Sequence, residues 1–215
     1  MRQKIPTFLC VFAIFTFFLS CKCLAQTWQP LQMYGGGFIT GLLLSENDTN
    51  TLIARCDVAG LFKTTDGGEN WTNICAKIPK YNNLDLAVRS LVGSKNMDSL
   101  MYVCGDAPYN GYAKLWYTYD GGANWQFRNV LVSVNGNGYS RGAGESLWKH
   151  SQNPNVLILG GQPLFNYSTN QWSSTSGLYL SINAGQSWTN IAGTTFSAAN
   201  ISSISTLALT AGSPL

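Results

Sequence analysis

Few residues of this 215-residue sequence are of a type and placement to do chemistry. Ten carboxylates, one histidine and six cysteines are scattered through a chain that is 45% hydrophobic and only 11% charged. Among the carboxylates, Asp57 follows the apolar run Leu52–Cys56 and precedes Val58-Ala59-Gly60. A carboxylate at the end of a strand can serve as a general base, or it can simply cap its own turn by accepting backbone N–H groups. Taken alone, the residue types favour the turn. Asp106 is the other carboxylate in an equivalent loop, and the single histidine, His150, has no partner histidine. No CxxC pair or Cys/His cluster is present, so neither a zinc site nor any cofactor is expected.

The elements that must position Asp57 are announced by a repeat. Thr64-Thr65-Asp66-Gly67-Gly68-Glu69-Asn70-Trp71 recurs as Thr118-Tyr119-Asp120-Gly121-Gly122-Ala123-Asn124-Trp125, and again as Ser181-Ile182-Asn183-Ala184-Gly185-Gln186-Ser187-Trp188. Asp-Gly-Gly between two apolar runs is a hairpin turn, with glycine supplying positive φ and the acidic or amide side chain bonding its own turn. Asp66, Asp120 and Asn183, with Trp71, Trp125 and Trp188 as packing anchors, therefore read as structural residues. Strand-like runs surround each turn. The first strands fall at 38–44, 86–92 and 145–149, and the second at 52–56, 100–104 and 156–160. The fourth follow the turns at 71–75, 125–130 and 188–192. Four antiparallel strands in ~50–60 residues form a propeller blade.

The fold class is thus all-β, an incomplete β-propeller. Blades are expected at about 35–80, 81–135 and 136–195, with the start of a fourth at 200–215. A chain that stops inside a blade is expected to be part of a longer protein, because each blade buries its face only against a neighbour. In such a meander the connection after the second strand lies at the opposite end from the repeated turns. Asp57 sits in that connection, and the same connection lengthens to 105–113 and 161–176 in the next two blades. Long loops on one face of a rigid scaffold are where binding resides. Tyr109, Tyr112 and Trp172 are candidates to stack there on sugar rings, with bracing of their own loops the favoured alternative.

Residues 1–25 read as an export signal. Arg2 and Lys4 precede an apolar run at 8–19, too short to span a bilayer, and small residues precede a cleavage point before Gln26. Lipid attachment at Cys21 is the alternative. The protein is accordingly expected to be secreted, with no transmembrane segment. The segment holds three of the 13 basic residues, so ten basic face ten acidic residues in the remainder. That neutrality argues against nucleic acid as a partner. Cys56, Cys75 and Cys104 remain, an odd number that allows one bridge at most. Glycosylation sequons occur at Asn47, Asn70, Asn166 and Asn200, of which Asn70, inside a turn, is expected to be the least accessible.

The repeated turn resembles the Asp-box (BNR repeat) of sialidases, sortilin-type receptors and several glycoside hydrolases. Two further stretches are more specific. Gly35-Gly36-Gly37-Phe38-Ile39-Thr40-Gly41, followed by Ile53-Ala54-Arg55-Cys56-Asp57-Val58-Ala59-Gly60, resembles the opening of glycoside hydrolase family 74, the xyloglucan-cleaving endoglucanases. Gly138-Tyr139-Ser140-Arg141-Gly142-Ala143-Gly144-Glu145-Ser146-Leu147 is similar to a later stretch of that family. The resemblance implies two propellers with a glucan cleft between them and an inverting pair of aspartates. Asp57 stands at the general-base position, and the general acid lies in a second propeller that this chain does not include. Cys56 and Ala59 depart from the family's Thr and Gly. The implied substrate is a plant cell-wall polysaccharide, xyloglucan or a related β-glucan, and the segment alone is expected to be inactive. The competing readings are a non-catalytic, sortilin-like binding propeller and, more remotely, a sialidase. Arg141 and Glu145 are expected to pair within their blade.

Overall fold

A computed structural model describes residues 33, 36–78, 86–105, 112–134, 136–137, 144–161, 165–166, 169, 171–172 and 177–191. All of them fall in one compact unit, Gln32–Leu215. The expected export signal, Cys21, Asp106, Tyr109, Arg141, Asn200 and the expected start of a fourth blade lie outside the described residues.

The described chain is all-β. Three four-stranded antiparallel sheets follow one another along the sequence. The first comprises β1 (Ile39–Leu44), β2 (Leu52–Cys56), β3 (Leu61–Thr64) and β4 (Thr72–Asn73). The second comprises β5 (Val88–Gly93), β6 (Leu100–Cys104), β7 (Ala113–Thr118) and β8 (Gln126–Val130). The third is built from β9 (Leu147–Lys149), β10 (Leu157–Gly161), β13 (Gly177–Ser181) and β14 (Thr189–Asn190). The expected loop at 161–176 is in part a hairpin of its own, β11 (Phe165–Asn166) against β12 (Gln171–Trp172). No described helix is long and apolar enough to cross a membrane.

The middle sheet shows why these sequences stack. β6 reads Leu-Met-Tyr-Val-Cys, and all five residues are buried. Because successive strand side chains point to opposite faces, Leu100, Tyr102 and Cys104 enter a core shared with the first sheet. Met101 and Val103 enter a second core shared with the third sheet. Ile53 and Leu61 meet Trp116 on one side, while Leu115 meets Leu147, Leu157 and Leu159 on the other. Burying such side chains is worth about 1.5–3 kcal/mol each, against about 0.5–1.5 kcal/mol for a ladder hydrogen bond, so packing between sheets outweighs pairing within them.

The first strands carry matching irregularities. Register shifts between Ile39 and Gly41 in β1 and between Val88 and Ser90 in β5. A bulge leaves one residue out of the ladder and frees its backbone groups for other partners. The fourth strands of the outer sheets are only two residues long, shorter than expected, because Trp71 and Trp188 precede them as part of the turns.

Candidate functional site

The two ends of each sheet are chemically distinct. At one end lie the repeated turns. Thr64 Oγ1 donates to Asp66 Oδ1 (2.7 Å) and accepts from Gly68 N (3.0 Å), while Asp66 accepts from Asn70 N (2.9 Å) and Asn70 Nδ2 (2.8 Å). Thr118, Asp120, Gly122 and Asn124 repeat this pattern. The third copy keeps the geometry with the polarity reversed. Asn183 Oδ1 accepts from Ser187 N (2.9 Å), and Asn183 Nδ2 donates to Ser187 Oγ (2.8 Å). Gly67, Gly68, Gly121, Gly122 and Gly185 have positive φ, and so does Ala184 (φ 55°). The N–H of Asn70, with the Thr64 hydroxyl, holds the exposed Asp66 carboxyl well below the usual carboxylate range. Asp120 is drawn down to about 2, chiefly by the Thr118 hydroxyl and the Asn124 N–H.

Each turn also reaches outward. Gly67, Gly121 and Ala184 donate their N–H to Asn50, Asp98 and Asn155, each two residues before the second strand of its own sheet. Trp125 Nε1 donates to Ile74 O just past β4 of the first sheet (2.8 Å), and Arg128 Nη1 donates to Ala184 O in the turn of the third. Asn70 was expected to be poorly accessible; it is exposed, with its amide nitrogen committed to Asp66.

Asp57 lies at the other end, just past β2, and is 5% exposed. Its Oδ1 accepts from Phe38 N (2.8 Å), and its own N–H donates to Phe38 O (3.1 Å). The glycine-rich stretch allows that approach. Gly37 has φ +108°, and a Cβ there would sit 2.9 Å from Asp57 Oδ1 and 3.0 Å from Val58 Cγ2. Gly60 (φ +78°) closes the same short connection, where a Cβ would strike Cys75.

Two residues before Asp57, Arg55 runs inward and is 2% exposed. Its Nη2 meets Glu145 Oε1 at 2.8 Å, and Nε donates to the same oxygen at 3.1 Å. Nη1 donates to Thr40 Oγ1 (2.9 Å) and to Arg89 O (2.7 Å). Thr40 and Arg89 are the residues at the two bulges. Glu145 Oε2 accepts from Ser90 Oγ and from Leu91 N (3.2 Å), and Ser90 Oγ accepts from Leu147 N (2.9 Å) and Ser146 N (3.1 Å). A polar network thus crosses all three sheets beside Asp57. Among the described residues the ion-pair partner of Glu145 is Arg55, 90 residues away in sequence; Arg141, expected to pair with Glu145, lies outside the described residues. Only this separation hid the pair; the residue types were visible.

The remaining candidates are spread out. Tyr112 stands half-exposed at the start of β7, in the connection equivalent to that of Asp57. Trp172 is on β12, opposite Phe165, and Asn166 is on β11. Asn47 is exposed in the β1–β2 turn. His150 Nδ1 accepts from the N–H groups of Gln152 and Asn153, which makes it a turn cap. Cys56, Cys75 and Cys104 are all buried. Burial pushes the Cys56 thiol up to about 11 and the Cys75 thiol up to about 12, so neither is a ready nucleophile. Among the described residues no three His, Cys, Asp or Glu side chains converge as a metal site.

No protein-family model matches the chain. Curated relatives do. A xyloglucanase of Hypocrea jecorina is 27% identical over 161 residues, covering 71% of this chain and 18% of its own length. An oligoxyloglucan-reducing end-specific xyloglucanase of Emericella nidulans is 24% identical, covering 77% and 19%. Among solved structures, the GH74 xyloglucanase from Xanthomonas campestris superposes with a TM-score of 0.62 at 22% identity, covering 76% of this chain and 22% of that one. The GH74 enzyme of Niastella koreensis gives 0.60 at 23% identity, covering 77% and 23%. The chain spans less than a fifth of the length of these curated relatives. In sequence the chain is similar to a part of these xyloglucanases, and in fold it is a run of propeller blades similar to a part of the GH74 structures.

Proposed function

We propose that the chain is part of an exported glycoside hydrolase that cleaves xyloglucan or a related β-1,4-glucan of the plant cell wall, with Asp57 as the general base of an inverting carboxylate pair. The observation that carries this reading is the placement of Asp57: past the end of β2, away from the repeated turns, with its carboxylate held by the Phe38 N–H at 2.8 Å. The names of the relatives support the substrate class. In this reading Asp57 takes a proton from the water that attacks the anomeric carbon, and a second carboxyl protonates the leaving oxygen. An inverting pair needs ~6.5–9.5 Å between carboxyls to seat that water. The acid comes from the remainder of the longer polypeptide, across a cleft lined on this side by the connection that carries Tyr112.

The same contact favours a second reading, in which Asp57 only pins the glycine-rich stretch before β1. Asp57→Asn in the full-length protein separates the two, because the amide oxygen can still accept from Phe38 N while the basic carboxylate is gone. Loss of xyloglucan hydrolysis by about 10³-fold or more, with unchanged thermal stability, is expected if Asp57 is the base. Turnover within a few fold of wild type would leave only the pinning role.

A further inference from the structure

Among the described residues, the network beside Asp57 holds more positive charge than it balances. Arg55 and Arg89 are 2% and 1% exposed. Glu145 is the carboxylate joined to them, and its oxygens are already taken by Arg55, Ser90 and Leu91. Arg89 Nη1 donates to Gly144 O at 2.5 Å. Its Nε and Nη2 are buried and have no hydrogen-bond partner among the described residues. Ser146 Oγ, two residues beyond Gly144, is buried in the same condition.

The geometry of the missing partner follows from the guanidinium itself. Nε and Nη2 share one edge of the plane, where two N–H groups point in parallel and match the two oxygens of a carboxylate. Arg55 uses this same edge to grip Glu145 while its Nη1 serves backbone and hydroxyl oxygens. Arg89 has its Nη1 placed likewise, on a backbone carbonyl. Burial, and then the neighbouring Arg55 charge, pull Arg89 down to about 10, still above neutral pH, so it keeps its charge. A neutral sugar hydroxyl cannot offset a buried cation of this kind.

We infer that Arg89, at the bulge of β5, is a carboxylate-binding site: its Nε–Nη2 edge takes a planar carboxylate, supplied either by an acidic side chain of the longer polypeptide or by a small acidic ligand such as a sugar acid. The site is independent of the role proposed for Asp57.

The test uses the full-length protein and its melting temperature. Sodium acetate is titrated against sodium chloride at equal ionic strength, for wild type and for Arg89→Gln, which keeps an amide donor and removes the charge. A saturable rise in wild type that is absent in Arg89→Gln identifies a carboxylate taken from solution. No acetate response, but a fall of more than about 5 °C in Arg89→Gln, identifies a carboxylate of the polypeptide itself, left unpaired by the substitution. Arg89→Lys keeps the charge without the two-pronged edge, and with a carboxylate present it melts between wild type and Arg89→Gln. The inference is overturned if Arg89→Gln melts at or above wild type without an acetate response, if the acetate response survives the substitution, or if Arg89→Lys melts below Arg89→Gln.

Discussion

Gly37 and Asp57 belong to one contact, although they stand in separate stretches of sequence. The Gly37 backbone has φ +108°, and its missing Cβ leaves room for the Asp57 carboxylate, which would otherwise be met at 2.9 Å. Gly37→Ala therefore adds backbone strain and pushes the carboxylate out of line with the Phe38 N–H. A strained φ costs about 1–3 kcal/mol, and a misplacement near 1 Å can cost about 10²-fold in rate. In the full-length protein Gly37→Ala is expected to lower kcat on xyloglucan by roughly 10–100-fold while KM stays within a few fold. A KM rise with kcat unchanged would place Gly37 in substrate binding and not in the alignment of Asp57. Gly41, four residues further on and within β1, has a parallel role: a Cβ there would meet Arg55 Nε at 2.5 Å. The two glycines thus clear the way for the carboxylate and for the guanidinium two residues before it.

At the scale of elements, the repeated turn closes the end of its own sheet by bonding the β1–β2 type connection and also reaches a neighbouring sheet. In the first two copies a carboxylate, Asp66 or Asp120, makes this closure dependent on acid. The Asp120 carboxyl titrates at about 2 in the folded chain, because the Thr118 hydroxyl and the Asn124 N–H bond its charged form; in the unfolded chain an aspartate titrates near 3.9. A folded pKa below the unfolded one gives stability that is full above about 4 and lost as pH falls towards 2. Asp120→Asn should therefore lower the urea midpoint at pH 7, with the gap to wild type closing between about pH 4 and pH 2. A gap that stays constant with pH would mean that the charge is not what Asp120 contributes. The turns were legible in the sequence because each is local: the eight residues that make the bonds are consecutive, and the third copy preserves the pairing even when Asp and Asn give way to Asn183 and Ser187. The strands were legible for the same reason, as short apolar runs on either side. The strand ends were less so, because Trp71 and Trp188 are apolar like strand residues but serve the turns. The short hairpin of β11 and β12 was hidden in a stretch too polar and too brief to show alternation. The place of Asp57 opposite the turns was legible from strand order alone, while its contact with Phe38 spans 19 residues and its surroundings come from other sheets.

At the scale of the whole described molecule, two kinds of contact bind the sheets, and they answer differently to substitution. The apolar cores on either face of β6 are broad, and a single truncation removes a fraction of one. The polar network is narrow: Arg55 from the first sheet, the Arg89 carbonyl and Ser90 from the second, and Glu145 from the third meet through a handful of atoms. Folding the blades side by side brings Arg55 to Glu145 from 90 residues away, a pairing no local pattern encodes. A buried cation that loses its counter-charge costs about 3–5 kcal/mol, whereas removing both partners is often nearly neutral. Glu145→Gln is therefore expected to cost about 3–5 kcal/mol, and more than Arg55→Met, because Glu145 faces two buried guanidinium groups and Arg55 faces one carboxylate. Combining Arg55→Met with Glu145→Gln should cost less than the two singles together, by about 1–3 kcal/mol of coupling. Urea unfolding of the four proteins measures that coupling directly. Additive losses would mean that the pair contributes no more than two separate side chains packed at the same junction, and the bulges at Thr40 and Arg89 would then owe nothing to the guanidinium they enclose.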